Sequence, residues 1–534
     1  MVRVLVGSAL ASSTELHGTL AGKGSRQAAT IKILPDEIFR EIFALCMPDP
    51  YTDKHMRIWQ RLMQVCKRWR EIIYASPRYL NLHLCCTNGT PFRKNLGYWP
   101  AFPISIVYHL PNHDFLFPLE DDDHDIELIA ALKRPDRVHR INLDTTTSVV
   151  EDVVAVMQVP FPVMTHLEFS GPSVEVPVLP GGFLGRSAPC LQHLHLNHIP
   201  FPELPTLLLS ARDLVSLQLD CIPLTGYISP EAMVVGLAGL TRLRTLRIEI
   251  QFPIPPSEQT TRRTDSPMMA VLPALTQFEF RGESEYLEPL VAQIDTPRVE
   301  DISIEYSVEE IQASQLSRFI GRTLAANLKL AQFKGAEATF LDDVVSIKLE
   351  VEREGGHPRA GHSVTILGRG SDSQILFMTH VLSQLDAMLS KVEIFSVGGI
   401  PVQFGRQDNM DRTEWLELLH LFPAVEGMFV YMEMTRHIAC ALEDIAEELV
   451  TEVLPALHLI CLEDDSDDDS YDNDDNDSDC EHDSYFRYKT KPLVSTDQFL
   501  SLRNGFGHPV TIVKSEDEFF ERFTARQRCE EKIL

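Results

Sequence analysis

Leu191-Gln192-His193-Leu194-His195-Leu196 places its leucines as apolar-x-x-apolar-x-apolar, and the same frame returns along the chain. It appears in Val138-x-x-Ile141-x-Leu143, Met164-x-x-Leu167-x-Phe169, Leu214-x-x-Leu217-x-Leu219, Leu243-x-x-Leu246-x-Ile248, Leu275-x-x-Phe278-x-Phe280 and Val299-x-x-Ile302-x-Ile304. Successive starts are 26, 27, 23, 29, 32 and 24 residues apart. The alternation at the end of each frame is the period of a half-buried strand. Intervening stretches such as Pro205 to Ala211 and Ser229 to Leu240 are long enough for a helix. Strands joined by long crossovers must pair in parallel, so the fold class expected is α/β. Beyond 300 the spacing loosens, with further frames at Val344, Leu389, Val425 and Leu457.

A strand, a turn, a helix and a return in 23 to 32 residues resembles a leucine-rich repeat. The resemblance implies a solenoid with parallel strands over residues 137–462. The ninth position departs from that family: Thr146, Pro172, Ile199, Ile222, Gln251, Glu283 and Ser307 stand where Asn or Cys is usual. No asparagine row would regularise the stack, so the array is expected to be irregular. The alternative is a set of unrelated strands in an α/β domain. In either case, side chains flanking the middle apolar position leave the core on one open face. Those singled out as target-binding are Arg140, His166, Glu168, His193, His195, Gln218, Arg247, Gln277, Glu279 and Asp301. An ordinary solvated sheet face is the bland counterpart.

Nearer the amino end, Leu34-Pro35-Asp36-Glu37-Ile38-Phe39 opens a helix, with Asp36 and Glu37 suited to its positive end. Ile38, Ile42 and Leu45 form one apolar row and Phe39 and Phe43 another, a wider arc than one packing partner needs. A second segment carries Trp59, Leu62, Met63, Val65, Cys66, Trp69, Ile72 and Ile73, and Ala75-Ser76-Pro77 stops it. Together with Val65-Cys66-Lys67-x-Trp69-Arg70 and an apolar, strand-like Tyr79-Leu80-Asn81-Leu82, this stretch resembles an F-box, the module that docks a substrate receptor onto the Skp-type adaptor of a cullin-RING (SCF-type) ubiquitin ligase. The resemblance implies adaptor contacts at Leu34, Pro35, Ile38, Ile42 and Val65, and an internal core of Phe39, Cys66 and Trp69. One departure is the polar insert Pro48 to Lys54. A helical hairpin packed on its own protein is the alternative.

The expected organisation is therefore a loose leader over 1–30, an F-box-like module over 31–77, and a linker with the first strands over 78–136. The array follows over 137–462, then an acidic insert over 463–483 and a C-terminal cap over 484–534. The insert holds thirteen acidic residues and no Lys or Arg, a composition that repels itself. A formal net charge of −29 argues against a nucleic-acid partner. Ten scattered cysteines without a C-x-x-C pair fit a reducing cytoplasmic or nuclear compartment, and no apolar run approaches a membrane span.

His193, His195, His166 and Glu168 are the residues most like a metal set, but exposed histidines on a binding face are the preferred reading, and no cofactor is expected. No G-x-S-x-G, H-E-x-x-H or dinucleotide fingerprint is present. The expected function is a non-catalytic substrate receptor for an unidentified protein target. A protein-interaction scaffold without ligase activity is the alternative.

Overall fold

The computed structural model describes residues 34–47, 53–77, 79–88, 92–98, 101–109, 122–172, 176–250, 269–306, 314–327, 333–341, 344–350, 363–369, 374–399, 412–443, 451–462 and 497–530. The leader and the acidic insert lie outside them. The chain forms two compact units, Met1–His83 and Leu84–Leu534.

The first unit is helical: α1 (Asp36–Cys46), α2 (Asp53–Val65) and α3 (Lys67–Ala75). Pro35 sits one residue before α1, at its N-cap, and its carbonyl accepts the Phe39 N–H. Phe39 and Phe43 are buried on α1, and Trp69 of α3 meets Phe43 edge-on at 4.9 Å. Arg68 ties the two helix starts together. Its guanidinium pairs with Asp36 at 2.7 Å, donates to the Leu34 carbonyl at 2.6 Å, and lies 4.9 Å over the Phe39 ring.

Four expectations are corrected here. The segment read as one second helix is two, because Cys66 is extended (φ −159°, ψ 168°) between α2 and α3. Cys66 is consequently exposed and is no part of the helical core. Asp53 and Lys54 belong to α2 and not to the polar insert. Tyr79 to Asn81 is a turn, with Asn81 at φ +49°, where a strand-like run was expected.

The second unit is α/β. Its strands begin with β1 (Leu84–Cys86), β2 (Ile104–His109), β3 (Val138–Asp144), β4 (His166–Ser170), β5 (His193–Asn197), β6 (Ser216–Ile222) and β7 (Thr245–Ile250). They continue through β8 (Ala270–Val271), β9 (Gln277–Gly282), β10 (Ile294–Asp295), β11 (Asp301–Tyr306), β12 (Gly335–Phe340), β13 (Val344–Glu350) and β14 (Ser363–Arg369). The last are β15 (Ile394–Gly399), β16 (Gly427–Val430), β17 (Leu459–Leu462) and β18 (Thr511–Val513).

Strands β1 to β7, β9 and β11 lie side by side in chain order and in parallel, within a mostly parallel sheet of 16 strands among the described residues. Strands β8 and β10 pair separately. Both β1 and β2, from the expected linker, and β18, from the expected cap, are members of the large sheet.

The array is interrupted once. After β11 the sheet order is β14, β13, β12, β15, and β13 runs antiparallel to both neighbours. The frame at Val344 is therefore the middle of a meander and not a repeat. A second frame is shifted: Phe395 and Val397 are the buried residues of β15 and pair with Met428 and Val430, so the unit reads Val392-x-x-Phe395-x-Val397 instead of starting at Leu389.

Crossover helices start where local chemistry permits. Ser229 Oγ accepts the Ala232 N–H with Pro230 in the first turn of Pro230–Leu237. At the carboxyl end, Ser515 Oγ accepts the Glu518 N–H, and Phe519 and Phe523 of the helix Glu516–Glu530 pack on Phe429, Leu459 and Val513. Among the described residues no helix is long and apolar enough to cross a membrane.

Candidate interaction face on the sheet

Parallel register turns the repeat frame into rows. Ile141, Leu167, Leu194, Leu217, Leu246 and Phe278 align across β3 to β9 and are fully buried. The residues between them alternate to the opposite face. Arg140, His166, His193, Ser216, Thr245, Gln277 and Asp301 make one row there, and Asn142, Glu168, His195, Gln218, Arg247, Glu279 and Ser303 the next. All ten residues assigned to the target face thus lie in two adjacent rows. Gln277 is exposed and the rest are half-buried.

Between neighbouring strands these side chains are paired. Asn142 donates to Glu168 at 2.7 Å. His195 bridges Glu168 at 3.5 Å and Asp220 at 2.8 Å. Arg247 holds Asp220 at 2.7 Å and Glu279 at 3.4 Å, and Arg281 joins Glu249 at 3.2 Å to Glu305 at 2.6 Å. Thr245 donates to Gln277, and Ser363 to Asp301.

The network runs from β3 to β11 and pins the relative register of those strands. Sequence reading missed Asp220, Glu249, Arg281 and Glu305, which form a third row one step beyond the two that were read. Carrying the alternation past the last apolar position of each frame would have found them. The row is uneven because Cys221, at φ +51°, shifts the pairing of β6 with β7.

Electrostatics follow from this pairing. Hydrogen bonds to Asp220 and Glu168 raise the His195 imidazole to about 9, so it is a cation at neutral pH. The His195 hydrogen bond in turn holds Glu168 low. His166 moves the other way, to about 4, through burial and the nearby His193, Arg140 and His139. His193 is lowered by burial and Arg140.

A pH optimum of stability follows, with its sign fixed by these shifts. From about 6.5 to 9 the folded chain binds a proton at His195 that the unfolded chain releases, so stability falls as pH rises. From about 6.5 down to 4 the unfolded chain protonates His166 and the folded chain does not, so stability falls as pH drops. Denaturant titrations at several pH values should peak near neutrality. The shift converts to about 3 kcal/mol before solvent screening of this partly exposed ring, so the alkaline limb should amount to about 2–3 kcal/mol, and His195→Gln should flatten it. An equally steep alkaline limb in that variant would assign the effect elsewhere.

Glu168, His193 and His195 line a groove of about 360 Å³ together with Arg140, His166, Ser216 and Gln218. His166 and His193 stack with ring centroids 4.3 Å apart and planes 15° from parallel. No group of three or more His, Cys, Asp or Glu among the described residues is arranged to hold a metal ion. His198 sits in the turn after β5 at φ +57°, apart from that face.

The residues assigned to adaptor contact lie in the helical unit. Ile38, Ile42 and Val65 are 44%, 38% and 55% exposed, Pro35 is exposed, and Leu34 is half-buried. Leu45, one turn beyond Ile42, is 76% exposed. Comparison of the chain with family models and with curated proteins gives no match to either.

Proposed function

We propose that the chain is a non-catalytic specificity subunit of an SCF-type ubiquitin ligase. Residues 31–77 act as an F-box that docks a Skp-type adaptor, and the sheet face, read as an irregular leucine-rich-repeat-like array, holds a protein target. Transfer is then promoted by proximity, which raises the concentration of target lysines at the tethered enzyme. The observation that carries the reading is an apolar row, Ile38, Ile42 and Leu45, exposed on α1 while Phe39, Phe43 and Trp69 complete the packing behind it. An apolar stripe left over after self-packing is the physical signature of a partner surface. Chain-order addition of strands and the polar, paired open face agree with a repeat array that presents a rigid recognition surface.

The test is capture by an immobilised Skp-type adaptor. Ile38→Asp with Ile42→Asp should abolish capture with the melting temperature unchanged, since neither side chain contributes to the buried core. Undiminished capture by the double variant removes this surface from the assignment.

A further inference from the structure

The groove across β3 to β6 is lined by one carboxylate and a row of nitrogen groups. Glu168 alone among the groove-lining residues carries a carboxylate, and it is already engaged by Asn142 and His195. The opposite wall is a row of nitrogen groups from three adjacent strands, Arg140, His166 and His193. Arg140 pairs in register with His166 and His166 with His193, and the two imidazoles lie 4.3 Å apart, so the three nitrogen groups stand side by side in one row.

We propose that this groove binds an oxyanion, the carboxylate or phosphoryl group of an acidic side chain on a bound peptide, between Arg140 and the His166–His193 stack. The inference rests on the sheet face being the target-reading surface, and it names the chemistry read there. Arg140 supplies a permanent charge and a fork of donors, and the imidazoles supply N–H donors once protonated. Burial and the clustering of Arg140, His139 and the two rings presently disfavour that protonation. An anion in the groove cancels the repulsion, so binding takes up protons and strengthens as pH falls. The charged groups around the pair are Arg140 and His139 from β3, Glu168 from β4, His195 from β5 and Asp220 from β6. The last three neutralise one another in part through the His195 bridges.

Histidine imidazole signals of the full chain, labelled at the ring carbon and assigned through His166→Gln and His193→Gln, give the readout. Titrations between pH 5 and 8 are compared in chloride, inorganic phosphate and glutarate at equal ionic strength. The expected result is a rise of about one unit in the His166 and His193 midpoints in phosphate, in glutarate or in both. Whichever anion acts identifies the group preferred. Arg140→Gln should lose that response, and Arg140→Lys should retain part of it. Midpoints that coincide in all three salts, or an anion response undiminished in Arg140→Gln, overturn the site. Such a failure leaves adaptor capture through Ile38 and Ile42 untouched, so the two readings fail separately.

Discussion

Gly399→Ala is expected to cost more stability than any other single methyl addition to the sheet. Gly399 ends β15 at φ +125°, a region that side chains rarely adopt, opposite Phe340 of β12. A Cβ built there would fall 1.8 Å from the Phe340 carbonyl oxygen. Phe340 is itself buried against Trp415, so the strand cannot retreat without opening that contact. Relief requires breaking the end of the β12–β15 ladder, a loss of about 3 kcal/mol or more. Chemical denaturation of the full chain measures it, and a loss under about 1 kcal/mol would mean that the backbone there adapts freely.

The second large effect is at Glu288, buried on the helix Ser284–Ala292. Its carboxylate accepts the backbone N–H groups of Gln315 at 2.7 Å and Leu316 at 2.9 Å, and the Ser314 hydroxyl at 3.2 Å. These donors open the next helix, Ser314–Asn327, so one crossover helix supplies the N-terminal cap of its neighbour. Glu288→Ala leaves those donors facing a void, and a loss of about 3 kcal/mol is expected. Glu288→Gln keeps one acceptor oxygen and should recover roughly half of it. Equal losses in the two variants would point to side-chain volume, with no role for the cap.

The repeat frames before residue 305 were legible because alternation and a nearly constant step both survive in the sequence. Once register aligns them, the two rows of outward residues follow from parity alone. Strand direction is not encoded in that parity. Val344-x-x-Ile347-x-Leu349 has the same apolar spacing as its parallel relatives, and only its position in a short meander makes it antiparallel. The frame at Leu389 misled because Leu389, the last residue of the helix Asp386–Leu389, and Val392 are both buried three residues apart, while Ile394, which completes the apparent pattern, has the opposite parity to the buried Phe395 and Val397 of β15.

The break at Cys66 was equally hidden, since Val65-Cys66-Lys67 contains neither Gly nor Pro. Its structural trace lies in long-range partners: Arg68 reaches Asp36 and Leu34, and Arg70 donates to the Met63 carbonyl. The ion-pair chain on the sheet face was unreadable for a related reason. Pairs such as His195 with Asp220 and Arg281 with Glu305 are 24 or 25 residues apart and meet only once strand register is known.

Titration calorimetry of the purified chain with a Skp-type adaptor, repeated at several temperatures, measures directly whether the apolar row on α1 is completed by another polypeptide. The expected result is saturable one-to-one binding whose enthalpy becomes more negative on warming, the heat-capacity mark of buried apolar surface. Absence of saturable heat, or the same binding from the chain carrying Ile38→Asp and Ile42→Asp, would contradict it.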